Sequence, residues 1–172
     1  MTAIVEARQA ARAIVRRFGI TAPPVDVEGI TRHLGIRLVH QLLDDELSGM
    51  AFFSGGAKYI VVNSTHHRNR QRFTIAHECG HHVLHADYLR QGVHVDKGIL
   101  KRDPLSSAGR DIKEIAANAF ASELLMPRAL IGAAIPRDFD VLADEDSEKI
   151  KQIADRFQVS PAALHIRLVS LF

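Results

Sequence analysis

The sequence predicts an α+β fold: a mostly helical core, a small antiparallel sheet of about three strands, and a C-terminal helical pair. Three observations predict it. Two long stretches read as helices, one capped at Ser64 or Thr65 and containing His77, the other with its apolar residues at helical spacing around Phe120. β-Branched and aromatic runs flank a Gly55-Gly56 turn ahead of them. The segment from Ser147 to Phe172 divides at Gln158-Val159-Ser160-Pro161 into two short helical patterns.

The elements follow in order. Ile4, Ala7, Ala11, Ile14, Val15 and Phe18 share one face of a helix that Gly19 stops. Pro23-Pro24 opens a second, shorter helical pattern with Val27, Ile30 and Leu34 apolar and Gly35 just beyond its end. Ile36 to Val39 reads as a strand, and Gly49 to Phe53 with Lys58 to Asn63 reads as a hairpin. Ser64 or Thr65 is placed to cap a long helix. Leu89 to Arg110 has little periodicity and reads as a long functional loop. Asp111 to Met126 forms the next strong helix, with Ile112, Ile115, Ala116, Ala119, Phe120, Leu124 and Leu125 apolar and Glu123 at the surface; Pro127 closes it or opens the next turn.

A chain of 172 residues suits one domain and is short for two. Residues 1–172 are therefore read as a single unit: N-terminal helices and small sheet over 1–63, paired long helices and their loop over 64–127, and a C-terminal helical region over 128–172. A net charge of +2 carries no argument for nucleic acid or membrane binding. One cysteine allows no internal disulfide and suits a reducing compartment. No apolar run approaches the roughly 18 residues of a membrane span, and the N-terminal apolar residues are too dispersed for a signal peptide. A cytoplasmic location is expected.

His77-Glu78-Cys79-Gly80-His81 is an HExxH motif. On a helix, positions i and i+4 lie on one face about 6 Å apart, so two imidazoles can converge on one cation. Glu78, beside the first of them, can reach a water in the open position of that cation, which is what a zinc hydrolase requires of a base. The bland alternative is a histidine-rich solvated helix.

A catalytic zinc takes three protein ligands, so one more is needed. Cys79 points to the opposite side of the helix and reads as core, His82 faces sideways, and His85 lies a turn too far along a straight helix. His85 is left to contact substrate, to support a ligand or to serve structure alone. Asp87 has the spacing of a third ligand in a turn that leaves the helix, but Leu84 stands where that turn needs glycine. Glu114 is the remote candidate: a glutamate on the second long helix, with small Ala117 permitting close helix approach and Asn118 one turn on. Asn118 is positioned to hydrogen-bond the far nitrogen of a ligating histidine and so fix its tautomer. A solvated helical glutamate and an ordinary packing asparagine are the alternatives.

These blocks, "RQRFTIAHECGHHVLH" and then "EIAANAFASELLMP", resemble the ImmA/IrrE family of metallo-endopeptidases. The resemblance extends to "PPVDVEGITRHLGI", "LSGMAFF", "YIVVN" and "IADRFQVSPAALHIRL". It implies a zincin-like peptidase core with Zn2+ as cofactor, His77, His81 and Glu114 as ligands and Glu78 as base. It also implies a separately encoded repressor or regulator as substrate, in mobile elements or stress responses. Cys79 departs from the family's usual aliphatic residue, and the length leaves no room for the extra DNA-binding domain of many relatives.

The expected function is hydrolysis of an internal peptide bond in such a regulatory protein; the alternative is a metal-containing module that controls a transcription factor without cutting it. The hairpin offers an edge for an extended peptide. His82, His85, Tyr88 and Arg102 are the candidates to stabilise the tetrahedral intermediate. The basic run His66 to Arg72 reads as the start of the metal-binding helix. In the C-terminal pair only His165 and Arg167 could reach bases, so direct nucleic-acid binding is not expected.

Overall fold

The computed structural model describes residues 2–96, 108–136 and 147–171. Helix α1 (Ala3–Arg17) buries Ala7, Ala11 and Ile14, and Gly19 at φ +60° ends it as expected. Helix α2 (Val27–His33) starts later than Pro23-Pro24, because Asp26 accepts a 2.9 Å bond from the Gly29 amide and caps it there. Strands β1 (Ile36–Gln41), β2 (Gly49–Ser54) and β3 (Ala57–Asn63) follow. Then come α3 (Arg68–Leu84), the short α4 (Ala86–Arg90) and β4 (His94–Asp96). Helices α5 (Ala108–Leu125), α6 (Arg128–Ala134), α7 (Ser147–Phe157) and α8 (Pro161–Val169) complete the described chain.

The α+β class holds, but the expected three-stranded antiparallel sheet is a four-stranded mixed one in the order β1-β3-β2-β4. β2 and β3 form the hairpin, turning through Gly55 and Gly56 at positive φ. β1 lies parallel to β3, with Ile36 opposite Lys58 and Gln41 opposite Asn63. The Leu42–Ser48 connection is long enough to carry β2 past one strand position, and β3 returns into the gap. β4 is the strand that the reading of Leu89–Arg110 as a loop missed. It pairs antiparallel with Gly49–Ala51 of β2. Three residues are too few to express the period-2 alternation that identifies a strand.

Packing places the two long helices side by side. α5 runs against both α1 and α3, and the sheet covers another side of α3. Ala7, Ala11, Ile75, Cys79, Ala116, Phe120, Leu124, Phe157 and Leu164 belong to one continuous core. Close approach depends on small residues at the crossing: a Cβ on Gly80 would lie 3.0 Å from Phe120 Cδ1 and 3.4 Å from Ala117 Cα. On the sheet side, a Cβ on Gly49 would lie 2.6 Å from Thr74 Cγ2 and 2.8 Å from the Val61 carbonyl oxygen.

One expected surface position is not at the surface. Glu123 is 1% exposed and is bound by Arg12 Nε at 3.0 Å and Arg167 Nη2 at 2.6 Å. The period places Glu123 on the α8-facing side of α5, and the arginine partners satisfy it there. Arg167 is therefore turned into the protein, where its Nε also donates to the Met126 carbonyl. Conversely Ile112 and Ile115, expected on the apolar face of α5, are half exposed.

Candidate metal centre

Helix α3 begins at Arg68, with His67 as its cap: the His67 ring accepts from the Asn69 amide at 3.2 Å, so Ser64 and Thr65 lie upstream of the helix. Further along, one turn apart, its inner face delivers His77 and His81, both buried. From α5, Glu114 reaches the same point. Its two oxygens stand 3.3 Å from His77 Nε2 and 3.4 Å from His81 Nε2. The two Nε2 atoms are themselves 3.1 Å apart.

The outer nitrogens have fixed partners. Asn118 Oδ1 accepts from His77 Nδ1 at 3.0 Å, and His81 Nδ1 lies 3.2 Å from His85 Nδ1. His85 thus supports His81 in the way Asn118 supports His77. With their outer nitrogens engaged, both rings aim Nε2 lone pairs inward, where two acceptors face each other and a carboxylate. A shared cation is what such an arrangement accommodates, because a proton or metal ion removes the repulsion between lone pairs.

His94 joins the group from β4. One ligand atom each from His77, His81, His94 and Glu114 falls within 4.8 Å of all the others, a set that can hold a metal ion. His94 Nε2 is buried, has no hydrogen-bond partner, and lies 3.7 Å from Glu114 Oε1 and 3.8 Å from Glu78 Oε1. No motif in the sequence marks His94. The only signal was an unassigned histidine in a segment without periodicity.

Glu78 is fully buried beside the cluster, and neither of its oxygens has a hydrogen-bond partner. Burial pushes its carboxyl well above the usual range, opposed only in part by the charge of His77. Burial likewise pulls His81 and His94 down to about 4, which keeps their rings neutral and able to donate lone pairs. His77 moves the other way, to about 9: burial works against its charge, but Glu114 and Glu78 outweigh it. Glu114 is held below the carboxylate range although burial opposes its charge, because His77 and His81 bond it. The pocket therefore keeps Glu114 ionised beside one charged and two neutral imidazoles.

The remaining candidates point elsewhere. Cys79 is sealed in the core, where burial raises its thiol to about 12. His82 Nε2 lies 2.9 Å from the Tyr59 carbonyl oxygen, on the sheet side. Asp87 is solvent-facing and pairs with Arg90 at 2.6 Å. The helix does end at Leu84 without a glycine, since His85 takes up a non-helical conformation, yet the turn carries Asp87 outward. The Tyr88 ring sits 6.3 Å from that of His94, under the Lys113 ammonium. Arg102 lies outside the described residues. Of the hairpin edges, β3 is covered by β1, and β2 is covered by β4 over Gly49–Ala51.

Residues 31–169 match the family described as the IrrE N-terminal-like domain, Peptidase M78. The chain belongs to the ImmA/IrrE peptidase family. Similar to it is "Uncharacterized immunity region protein 2" of Bacillus phage phi105, 31% identical over 98 residues that make up 57% of this chain and 56% of that protein. A solved Mycobacterium tuberculosis transcriptional regulator has the same fold, with a TM-score of 0.59 at 21% identity over 93% of this chain. The chain spans only about half of these relatives: 46% of the solved regulator is covered. Within the family match fall His77, Glu78, His81, His94, Glu114 and Asn118.

Proposed function

We propose that this chain is a zinc-dependent endopeptidase that hydrolyses an internal peptide bond of a regulatory protein, a DNA-binding repressor or similar. The observation that carries the reading is the convergence of His77, His81 and Glu114 with an unpartnered, buried Glu78 next to them. His77, His81 and Glu114 are the residues that hold the metal, and the nitrogen-rich donor set with one carboxylate suits zinc. Zinc, when bound, supplies the Lewis acidity that lowers the pKa of water and polarises a carbonyl.

The protein's own groups do the rest. Asn118 and His85 hold the two imidazoles in the tautomer that turns Nε2 inward. Glu78 takes a proton from the attacking water onto its carboxylate and passes it to the departing amine. Its burial suits both halves of that task, since a carboxylate raised in pKa by desolvation holds the proton long enough to deliver it. A repressor substrate is supported by the phage relative, which bears the name of an immunity region protein. No described helix is long and apolar enough to cross a membrane.

Glu78→Gln tests the reading. A candidate repressor, chosen from the genes encoded beside this one, is incubated with wild type and variant, and zinc content is measured in both. The expected outcome is unchanged zinc stoichiometry with cleavage reduced at least about 100-fold, the usual contribution of a general base. Equal cleavage by both proteins would sink it. The second reading, a metal-containing module that regulates without cutting, is favoured by one observation: His94 stands where an open coordination position is needed. It predicts that the Glu78→Gln variant keeps full biological function.

A further inference from the structure

We propose that His94 is a displaceable fourth ligand of the metal, so that the resting centre is closed and a substrate must compete with this side chain for access. The inference rests on the metal-binding reading above and deepens it.

Four ligands at about 2.0–2.1 Å in a tetrahedron are separated by about 3.4 Å. The inward atoms of His77, His81 and Glu114 are 3.1 to 3.4 Å apart, close to that edge length. His94 Nε2 lies 3.7 Å from Glu114 Oε1, and all four atoms fit within 4.8 Å. Its ring centroid is 4.0 Å from that of His81. His94 thus lies at the fourth corner, short of full closure by a small movement.

His94 Nε2 also has no other use. It is buried without a hydrogen-bond partner, and 3.8 Å to Glu78 Oε1 is too long for one. Leaving a buried polar atom unpaired costs about 1–3 kcal/mol, a cost that coordination removes.

Of the four side chains, His94 is the one free to leave. His77, His81 and Glu114 stand on long helices packed against each other, whereas His94 stands on a three-residue strand joined to β2 through Gly49–Ala51. Moving β4 disturbs one short ladder; moving α3 or α5 disturbs the core. A centre closed by four protein side chains is of the structural type, and a base such as Glu78 has no task in it. Displacement of His94 reconciles the closed geometry with the presence of that base.

Histidine 15N NMR of the zinc-loaded protein tests this. Three Nε2 resonances are expected at zinc-bound positions, one of which disappears in His94→Ala and in His94→Gln. Zinc affinity in these variants is expected to fall at least 10-fold. Acetohydroxamate, a small chelator, is then expected to return the His94 signal alone to that of a free ring. Two zinc-bound resonances in wild type overturn the proposal while leaving the His77–His81–Glu114 site intact, and this count does not depend on any variant folding. A His94 signal unmoved by bound acetohydroxamate overturns its displaceability. Wild type that takes up no zinc overturns the underlying reading as well.

Discussion

Asn118 is exposed, yet its Oδ1 sets the direction of the His77 ring through one 3.0 Å hydrogen bond. Asn118→Ala is expected to weaken zinc binding about 10- to 100-fold with little effect on folding. Competition against a chromogenic chelator measures it, and Asn118→Asp, which keeps an acceptor, is expected to restore most of the affinity. At this scale the sequence was informative wherever helical spacing alone decides geometry. His77 and His81 share a face by being four apart, and Glu114 and Asn118 share another for the same reason. His94 was not legible, because its place in the cluster depends on strand pairing between β4 and β2, a long-range contact that no local spacing encodes. Glu123 was misread because a charge on a helix is ordinarily solvated, and its partners lie on α1 and α8, far away in sequence.

At the level of elements, the site depends on how closely α3 lies to its neighbours. Gly49 on β2 leaves the room that Thr74 of α3 fills. Its φ is not in the left-handed region, so space is the constraint here. In Gly49→Ala the new Cβ meets the Val61 carbonyl oxygen at 2.8 Å, a backbone atom that cannot rotate away. The expected loss is about 1–3 kcal/mol of stability, seen as a lower urea midpoint with an unchanged slope. The helices were readable because their periodicity extends over many residues. Their starts were less so: α3 is capped by the His67 ring and not by the nearby Ser64 or Thr65, a choice made by the path of the chain out of β3. The sheet order was hidden for a related reason. Alternation identifies β1 as a strand but does not say which partner it takes, and the parallel pairing with β3 is set by the reach of Leu42–Ser48.

Across the whole molecule, helices α1, α5 and α8 are joined at Glu123, held between Arg12 and Arg167. Burial raises the Glu123 pKa, but the two guanidinium groups more than offset this and leave it below its ordinary value of 4.5. A carboxylate with a depressed folded-state pKa contributes stability that is complete above the unfolded value and fades as pH falls through the folded one. Glu123→Gln is therefore expected to cost about 3–5 kcal/mol at pH 7, where it leaves the buried Arg167 charge unpaired. The difference in Tm between wild type and variant is expected to shrink as pH drops below 4.5. Thermal melts at pH 7 and below pH 4.5 check both parts.

The lone thiol gives this architecture a reporter of its own. Cys79 lies in the middle of the HExxH helix, wholly enclosed and with its ionisation suppressed, so reagents in solution cannot reach or activate it while α3 stays seated. Alkylation at this one position therefore follows the rate at which the protein transiently breathes open along that seam. A chain with a single cysteine placed there lets the opening of its own centre be timed without any added label.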